Sequence, residues 1–206
     1  AIYIGGKMNK KWLIPSIIGA LILLIGLMVI GTYNGLIKSR EEVRTSLSNV
    51  KTQYQRRMDL VDNLVSTVKG AADFEKSTLT DLAEKRSNVG KVTLPDNATT
   101  ADIQKFMEAQ NAMTGSLNKL IAVSENYPSL KATEAFRDLM VQLEGTENRI
   151  QVARSDYNNI AKPYNTKLQT FPSGLVAKMF NFEQSPYFES TGGAEKAPKV
   201  DFSNKK

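Results

Sequence analysis

Six polar residues could do chemistry because they lie on or beside apolar helical repeats. Arg57 interrupts a series of apolar positions spaced by seven, and an unpaired buried charge is strongly destabilising. Glu147 lies beside a second apolar series, so we expect these two side chains to lie within hydrogen-bonding distance. A second charged pair and two asparagines that bond across helices or to exposed backbone would complete the network. The candidate network comprises Arg57, Asp59, Glu147, Asn148, Arg154 and Asn158, with Asp59 and Arg154 as the second pair.

Such a network is open to two interpretations. It could bind a ligand or handle protons inside the protein, or it could be a polar layer that fixes the register of packed helices. The second interpretation is favoured. An enzyme that uses Glu147 and Asp59 as acid and base is the weakest hypothesis.

The chain lacks residue types on which most hydrolytic and metal-dependent enzymes rely. The chain has no cysteine and no histidine, so it lacks thiolate nucleophiles, the commonest general base and the commonest metal ligand. Tyr127, Tyr157 and Tyr164 stand at helical spacing, which is typical of core residues whose hydroxyls reach a polar partner. Three lysines before Trp12 supply half of the net charge of +6. The remaining charge on the rest of the chain is too small to indicate nucleic-acid binding. We predict a non-enzyme with no catalytic, cofactor-binding or metal-binding residues.

Long helices must position these residues. Apolar residues recur at heptad-like spacing after residue 37, and no segment of residues 38–172 alternates convincingly with period two. The sequence therefore predicts an all-α fold in which residues 34–172 form an antiparallel bundle of three or four long helices. The number depends on Gly70, because the first helix could stop there or run unbroken to about residue 91.

Caps and prolines indicate where the other helices begin and end. Thr99 or Thr100 can cap a helix that Pro128 terminates. A further helix is expected to begin near Thr133, to bend at Pro163 and to stop at Phe171-Pro172.

The N-terminal region carries an uncharged stretch from Trp12 to Ile37. As a helix, residues 12–33 would be about 33 Å long, enough to cross a hydrocarbon core of roughly 30 Å. The stretch is too long for a signal-peptide core and has no small-residue cleavage site, so we predict a transmembrane helix that is retained. Residues 1–11 form a short basic tail before it. Gly19 and Gly26, seven positions apart, could let two such helices approach closely.

The C-terminal region divides into two parts. Residues 173–189 are rich in aromatic side chains and could either cover the bundle or dock on a neighbouring subunit or the membrane surface. Residues 190–206 are polar and lysine-rich, and we expect them to be disordered. The candidate interaction residues are Met179, Phe180, Phe182, Tyr187 and Phe188.

Two blocks of residues are more specific than the periodicity. The first consists of Tyr33-Asn34-Gly35-Leu36, Gln53-Tyr54-Gln55-Arg56-Arg57-Met58-Asp59-Leu60 and Asn63-Leu64-Val65. The second consists of Glu125-Asn126-Tyr127-Pro128-Ser129-Leu130-Lys131-Ala132, Glu144-Gly145-Thr146-Glu147-Asn148-Arg149-Ile150, Ala153-Arg154, Tyr157-Asn158, Tyr164-Asn165 and Phe171-Pro172.

In order and spacing these blocks resemble the LemA family of bacterial membrane proteins, over about residues 33–189. The chain departs from the family pattern at Leu47, where tryptophan is usual, and at Asp62, where proline is usual. The resemblance implies an N-terminal transmembrane helix followed by an α-helical bundle. It implies no established enzymatic activity, and the family's molecular role is poorly defined.

These observations predict a single-pass protein of the bacterial cytoplasmic membrane, anchored in the lipid bilayer through residues 12–33. Lysines crowd the N-terminal end of the span, which favours an extracytoplasmic or periplasmic bundle. The leading hypothesis is a non-enzymatic scaffold that forms a homo-oligomer or recruits other membrane or envelope proteins. The alternative is a sensor or accessory subunit that binds a ligand or partner in the bundle and signals through the anchor.

Overall fold

The computed structural model describes residues 10–71 and 74–189, and every regular element in these ranges is a helix. The prediction of an all-α fold with one long apolar N-terminal helix is therefore confirmed. The polar tail at 190–206, with its predicted disorder, lies outside the described residues. The helices are α1 (Lys10–Lys69), α2 (Lys76–Lys91), α3 (Thr100–Ser124), α4 (Pro128–Lys131), α5 (Glu134–Gln169) and α6 (Ser173–Met179).

Helix α1 joins the apolar N-terminal segment to the bundle without a break. Its 60 residues correspond to about 90 Å at 1.5 Å per residue. One part of α1 is long and apolar enough to cross a membrane, and none of that apolar window is buried inside the protein. Burial begins at Leu36, soon after Tyr33. The candidate span and the first bundle helix are therefore one element.

The possibility that the first helix continues to about residue 91 is wrong. α1 ends at Lys69, where Gly70 donates its backbone N–H to the Thr67 carbonyl at 3.2 Å. Glycine is an unfavourable residue in a helix interior because it has the most backbone freedom to lose. The chain turns there, and α2 folds back along α1 until Arg86 donates to Asp62 at 2.5 Å.

The bundle has four main helices that run alternately up and down. Arg57 of α1 pairs with Glu147 of α5, whereas Ser39, nearer the apolar segment, accepts from Lys167, so α5 runs antiparallel to α1. α2 descends beside α1 and α3 rises again. Thr99 starts α3 with a capping box: its hydroxyl accepts from the Asp102 backbone N–H, and the Asp102 carboxylate accepts from the Thr99 backbone N–H.

Two apolar clusters fill the bundle, one above the other. The anchor-side cluster includes Leu36, Tyr54, Phe106 and Ile150 and is nearer the apolar segment. The distal cluster is built on residues farther along α1 and on the opposite ends of α3 and α5. It includes Leu64, Leu82, Met113, Leu120 and Phe136. Between the clusters each of α1, α3 and α5 contributes polar side chains.

Candidate functional site

Arg57 lies at the centre of the polar layer, which we define as Arg57, Gln110, Thr114 and Glu147. Its Nη1 is 3.1 Å from Glu147 Oε2, and its Nη2 donates to the Thr114 hydroxyl at 2.8 Å. The two charges differ in exposure: the Arg57 side chain is 7% exposed and that of Glu147 is 43% exposed. The structure thus brings together the pair expected from the sequence, with the cation inside and the carboxylate at the edge.

Gln110 completes the polar layer from α3. Its side chain is buried, and in the described part of the chain neither its amide nitrogen nor its amide oxygen has a hydrogen-bond partner. The backbone carbonyl of Gln110 accepts from Thr114 at 2.8 Å. These polar side chains lie at one level of α1, α3 and α5. If one helix slid along the others, they would face apolar neighbours, which is unfavourable. This geometry suits helix alignment.

The other four predicted network residues do not join this layer. Asp59 is exposed and accepts from Gln55 at 2.8 Å, one turn earlier on α1. Arg154 donates to the backbone carbonyl of Glu189, so the suggested Asp59–Arg154 pair is wrong. Asn148 is exposed beside a shallow surface depression. Asn158 contacts the C-terminal segment.

That segment, the C-terminal strap (residues 182–189), lies extended along α5 and is held by two asparagines. The Asn158 side chain donates to the Phe188 carbonyl at 2.8 Å and accepts from the Phe188 N–H at 2.9 Å. Asn165 makes the same pair of bonds to Ser185, at 2.7 and 2.8 Å. Each amide pairs with backbone as a neighbouring β-strand would.

The spacing of these contacts has a simple geometric origin. Asn158 and Asn165 are seven residues apart on a helix, or about 10.5 Å at 1.5 Å per residue. Ser185 and Phe188 are three residues apart on an extended chain, or about 10 Å at 3.3 Å per residue. The spacing of the two asparagines along α5 therefore matches the spacing of the two strap residues that they bind. The strap runs antiparallel to α5.

Two tyrosines reinforce the same match. The Tyr157 hydroxyl donates to the Pro186 carbonyl at 2.9 Å, and the Tyr164 hydroxyl donates to the Glu183 carbonyl at 3.0 Å. Both rings are buried in the anchor-side cluster, and Phe188 joins them with its ring 5.2 Å from that of Tyr157. These tyrosines are core residues with hydroxyl partners, as the spacing predicts.

The five candidate interaction residues have different environments. Phe188 is buried in the bundle of its own chain, so it is not a free docking residue, because the asparagine pairs hold the strap inward. Phe182 is half-buried, with the Arg40 guanidinium carbon 5.1 Å from its ring centre. Met179, Phe180 and Tyr187 are exposed.

A cleft of about 770 Å³, here called the strap cleft, opens between α1, the loop before α3 and the C-terminal strap. Its lining carries two arginines, Arg40 and Arg44, and three carboxylates, Asp96, Glu183 and Glu189. The Lys51 ammonium, which donates to Asp96 at 2.7 Å, lowers the pKa of that carboxyl. No group of carboxylates able to hold a metal ion occurs among residues 10–71 and 74–189. Both signs of charge make the strap cleft suited to a polar or zwitterionic ligand.

Comparison with known proteins identifies the family. The family model described as "LemA family" matches residues 46–202, well over half of the chain and including the polar layer and the C-terminal strap. The chain belongs to the LemA family. Membership agrees with the helical bundle and the long apolar N-terminal helix of this LemA-family protein.

Curated relatives of this LemA-family protein carry two kinds of name. Magnetosome protein MamQ 2 of Paramagnetospirillum magneticum is 26% identical over 176 residues, which cover 76% of this chain and 64% of the relative. Magnetosome protein MamQ of Magnetospirillum gryphiswaldense is 24% identical over 178 residues, with the same coverage. Protein LemA of Metamycoplasma hominis is 24% identical over 173 residues, covering 82% of this chain and 76% of the relative. The match thus spans about 64% of the length of the MamQ relatives.

Three residues of the polar layer and the strap contacts in this LemA-family chain were not singled out from the sequence. Asn165 stands out only when Tyr157-Asn158 and Tyr164-Asn165 are seen as one dipeptide repeated after seven residues. Thr114 and Gln110 carried no signal beyond their place on an apolar helix face. The two departures from the family pattern are absorbed locally: Leu47 is buried in the anchor-side cluster, and Asp62 pairs with Arg86.

The tyrosines predict that this LemA-family fold weakens in alkali. Burial raises the pKa of Tyr157 from 10.0 to about 12, and burial also raises the pKa of Tyr54 and Tyr164. The unfolded chain therefore loses these protons first. The stabilising effect is fully present below pH 10 and falls as the pH rises from about 10 to about 12. Urea unfolding followed by circular dichroism should show this loss, with a shallower dependence in Tyr157→Phe. An unchanged slope in that variant would contradict the assignment.

Proposed function

We propose that this LemA-family chain is a non-enzymatic, membrane-anchored scaffold that self-assembles or recruits other envelope proteins. The observation that carries the proposal is the continuity of α1 from the candidate span into the bundle. A continuous helix fixes the height and direction of the bundle relative to the bilayer, whereas a flexible linker would leave both free. Such a connection serves a protein that presents a surface at a defined place.

The internal contacts make the same helix stiff where it leaves the span. Leu36 and Ser39 are buried within two turns of Tyr33, and Ser39 accepts from Lys167 of α5 at 2.7 Å. We assign the polar layer to helix alignment, since Arg57 of α1 binds Glu147 of α5 and Thr114 of α3. The MamQ and LemA relatives are named for the magnetosome or for the family, not for a reaction.

We place the bundle on the extracytoplasmic side of the bacterial cytoplasmic membrane, as the lysines before the span favour. Homo-oligomerisation through the anchor is part of the proposal. Gly19 and Gly26 fall on one face of α1, and a Cβ built on either meets no atom within 4 Å. A second copy could therefore approach that face closely.

The scaffold proposal is tested by the size and composition of the particle released from membranes by a mild detergent. We expect a particle larger than one chain in a micelle, containing either several copies or co-purifying envelope proteins. Gly19→Leu with Gly26→Leu should reduce its size if the anchors pack through that face. Gly31→Leu is the matched control, since Gly31 is equally open but lies on another face of α1. A lone monomer at native expression level would overturn the scaffold.

A sensor or accessory subunit is the second candidate, favoured by the strap cleft. The cleft is bounded by α1 on one side, so a ligand there would contact the helix that continues into the span. In the same extract, this function predicts a small molecule that co-purifies with the wild type and is reduced in Arg44→Gln. Arg44 suits this variant because its side chain is partly exposed and pairs with Glu41, three residues earlier on the same helix.

A further inference from the structure

An exposed apolar surface surrounds α6, in a part of the protein that otherwise packs inward. Leu175 is 61% exposed and Met179 is 67% exposed, four residues apart on one face of the helix. Phe171, four residues before Leu175, and Phe180 are also exposed. Val176 and Ala177, on the opposite face, are buried in the anchor-side cluster. We call the outward residues, Phe171, Leu175, Met179 and Phe180, the α6 apolar face.

The position of this face relative to α1 decides what could cover it. The Phe180 ring lies 4.7 Å from that of Tyr33, and the Phe182 ring lies 5.8 Å from it. Val29 and Tyr33 of α1 pack against the cluster that contains Val176 and Ala177. The C-terminal end of α6 therefore lies beside the last turns of α1 before the bundle.

Those turns lie at the expected boundary of the hydrocarbon. A helix entering at Trp12 traverses roughly 30 Å in about 20 residues, so it leaves the hydrocarbon near residue 32. Tyr33 then lies in the headgroup region, where tyrosine is enriched. Phe180, whose ring contacts that of Tyr33 and which follows the last residue of α6, must lie at the same depth.

The α6 apolar face is also held rigidly in place. A Cβ on Gly174 would come within 3.0 Å of the Leu168 carbonyl oxygen, so glycine permits the close packing of α6 on the end of α5. At the other end, Asn181 has φ 53° and Phe182 donates to the Ala177 carbonyl at 2.9 Å, which closes the helix in a Schellman motif. The exposed side chains therefore cannot turn inward to hide.

We propose that the α6 apolar face inserts into the interfacial region of the bilayer beside α1, as a second membrane contact of the same chain. The occupant is lipid because the face is continuous, through Phe180 and Tyr33, with the exposed apolar surface of the span. Lys178 is exposed next to these residues and can extend its ammonium to lipid phosphates. Two contacts with the bilayer fix the tilt of the bundle, which one helix alone does not.

This inference rests on the proposed anchoring of α1, and the chain permits a direct test because it has no cysteine. Leu175→Cys and Met179→Cys would each carry an environment-sensitive fluorophore in the full chain, reconstituted into phosphatidylcholine vesicles with a minor share of phosphatidylglycerol. Val141→Cys and Val152→Cys are matched controls, because these α5 valines are 70% and 60% exposed and lie on the bundle.

We expect blue-shifted emission and severalfold quenching by lipids with a nitroxide near the headgroup at 175 and 179, and neither effect at 141 or 152. Probes at 175 and 179 that behave like the controls would overturn the inference. So would probes shielded from aqueous iodide but not quenched by the lipid nitroxide, which would indicate a second copy or another protein. Trp12, the only tryptophan, reports on the anchor in the same samples. If nitroxide lipids quench Trp12 but not the probe at 175, the anchor is in the bilayer and only this inference fails. If they quench neither, the proposed anchoring itself fails.

Discussion

Asn158→Ala combined with Asn165→Ala should release the C-terminal strap and lower the free energy of unfolding by about 4 kcal/mol. The two amides make four hydrogen bonds to the backbone of Ser185 and Phe188, and each contributes about 1 kcal/mol. Loss of the strap would also uncover Phe188 and the hydroxyls of the buried tyrosines.

The measurement is urea unfolding of the full chain in detergent micelles, with amide hydrogen exchange over residues 182–189. Exchange of the Ser185 and Phe188 amides should become fast in the double variant while α1 and α5 stay protected. Asn159→Ala is the matched control, because Asn159 is the next residue on α5 and is exposed. If the double variant unfolds at the same urea concentration as this control, the asparagine pairs do not hold the strap.

Removing the carboxylate of the polar layer should cost more than removing its guanidinium. Glu147→Ala leaves the Arg57 cation at 7% exposure with only a neutral hydroxyl partner, and we expect a loss of about 3 kcal/mol. Arg57→Met leaves Glu147 at 43% exposure, where water can solvate the carboxylate. The flexible apolar side chain of methionine can fill the space left by the arginine. We expect that change to stay within about 1 kcal/mol of the wild type.

The double variant Arg57→Met with Glu147→Ala completes the cycle. It should recover most of the stability lost in Glu147→Ala, because the cation that lacked a partner is gone. Urea unfolding of the four proteins under identical conditions gives the coupling energy. Equal losses in the two single variants would contradict the difference in solvation between the Arg57 and Glu147 side chains.

Much of the bundle could be predicted because local sequence carries its signals. Thr99 and Thr133 are side-chain N-caps, and α5 stops before Phe171-Pro172, as cap and proline chemistry require. The ambiguity at Gly70 could not be removed in this way. Glycine only lowers helix propensity, and the choice to turn depends on the return of α2 onto α1, seen in the Arg86–Asp62 contact.

The candidate sites were predictable only where a buried charged residue needs a partner of opposite charge. Arg57 at an apolar position required an acidic partner, and Glu147 was near enough in helical register to be named. Asp59 and Arg154 made an equally plausible pair by charge. Asp59 is exposed on α1, however, while Arg154 turns to the Glu189 carbonyl and the Phe188 ring.

The sequence by itself determined the helical class, the uncharged N-terminal segment and the LemA resemblance, because these depend on periodicity and on residue types that are close in the chain. Only the tertiary structure decided that Asn158 and Asn165 hold the strap and that Met179 stays outside while Phe188 is buried. Met179 stays outside because α6 packs on the bundle through its other face, which carries Val176 and Ala177. The strap contacts and the burial of Phe188 depend on a match of repeats between α5 and an extended segment about 20 to 30 residues away. Such a match is a property of two elements in contact, which neither element carries alone.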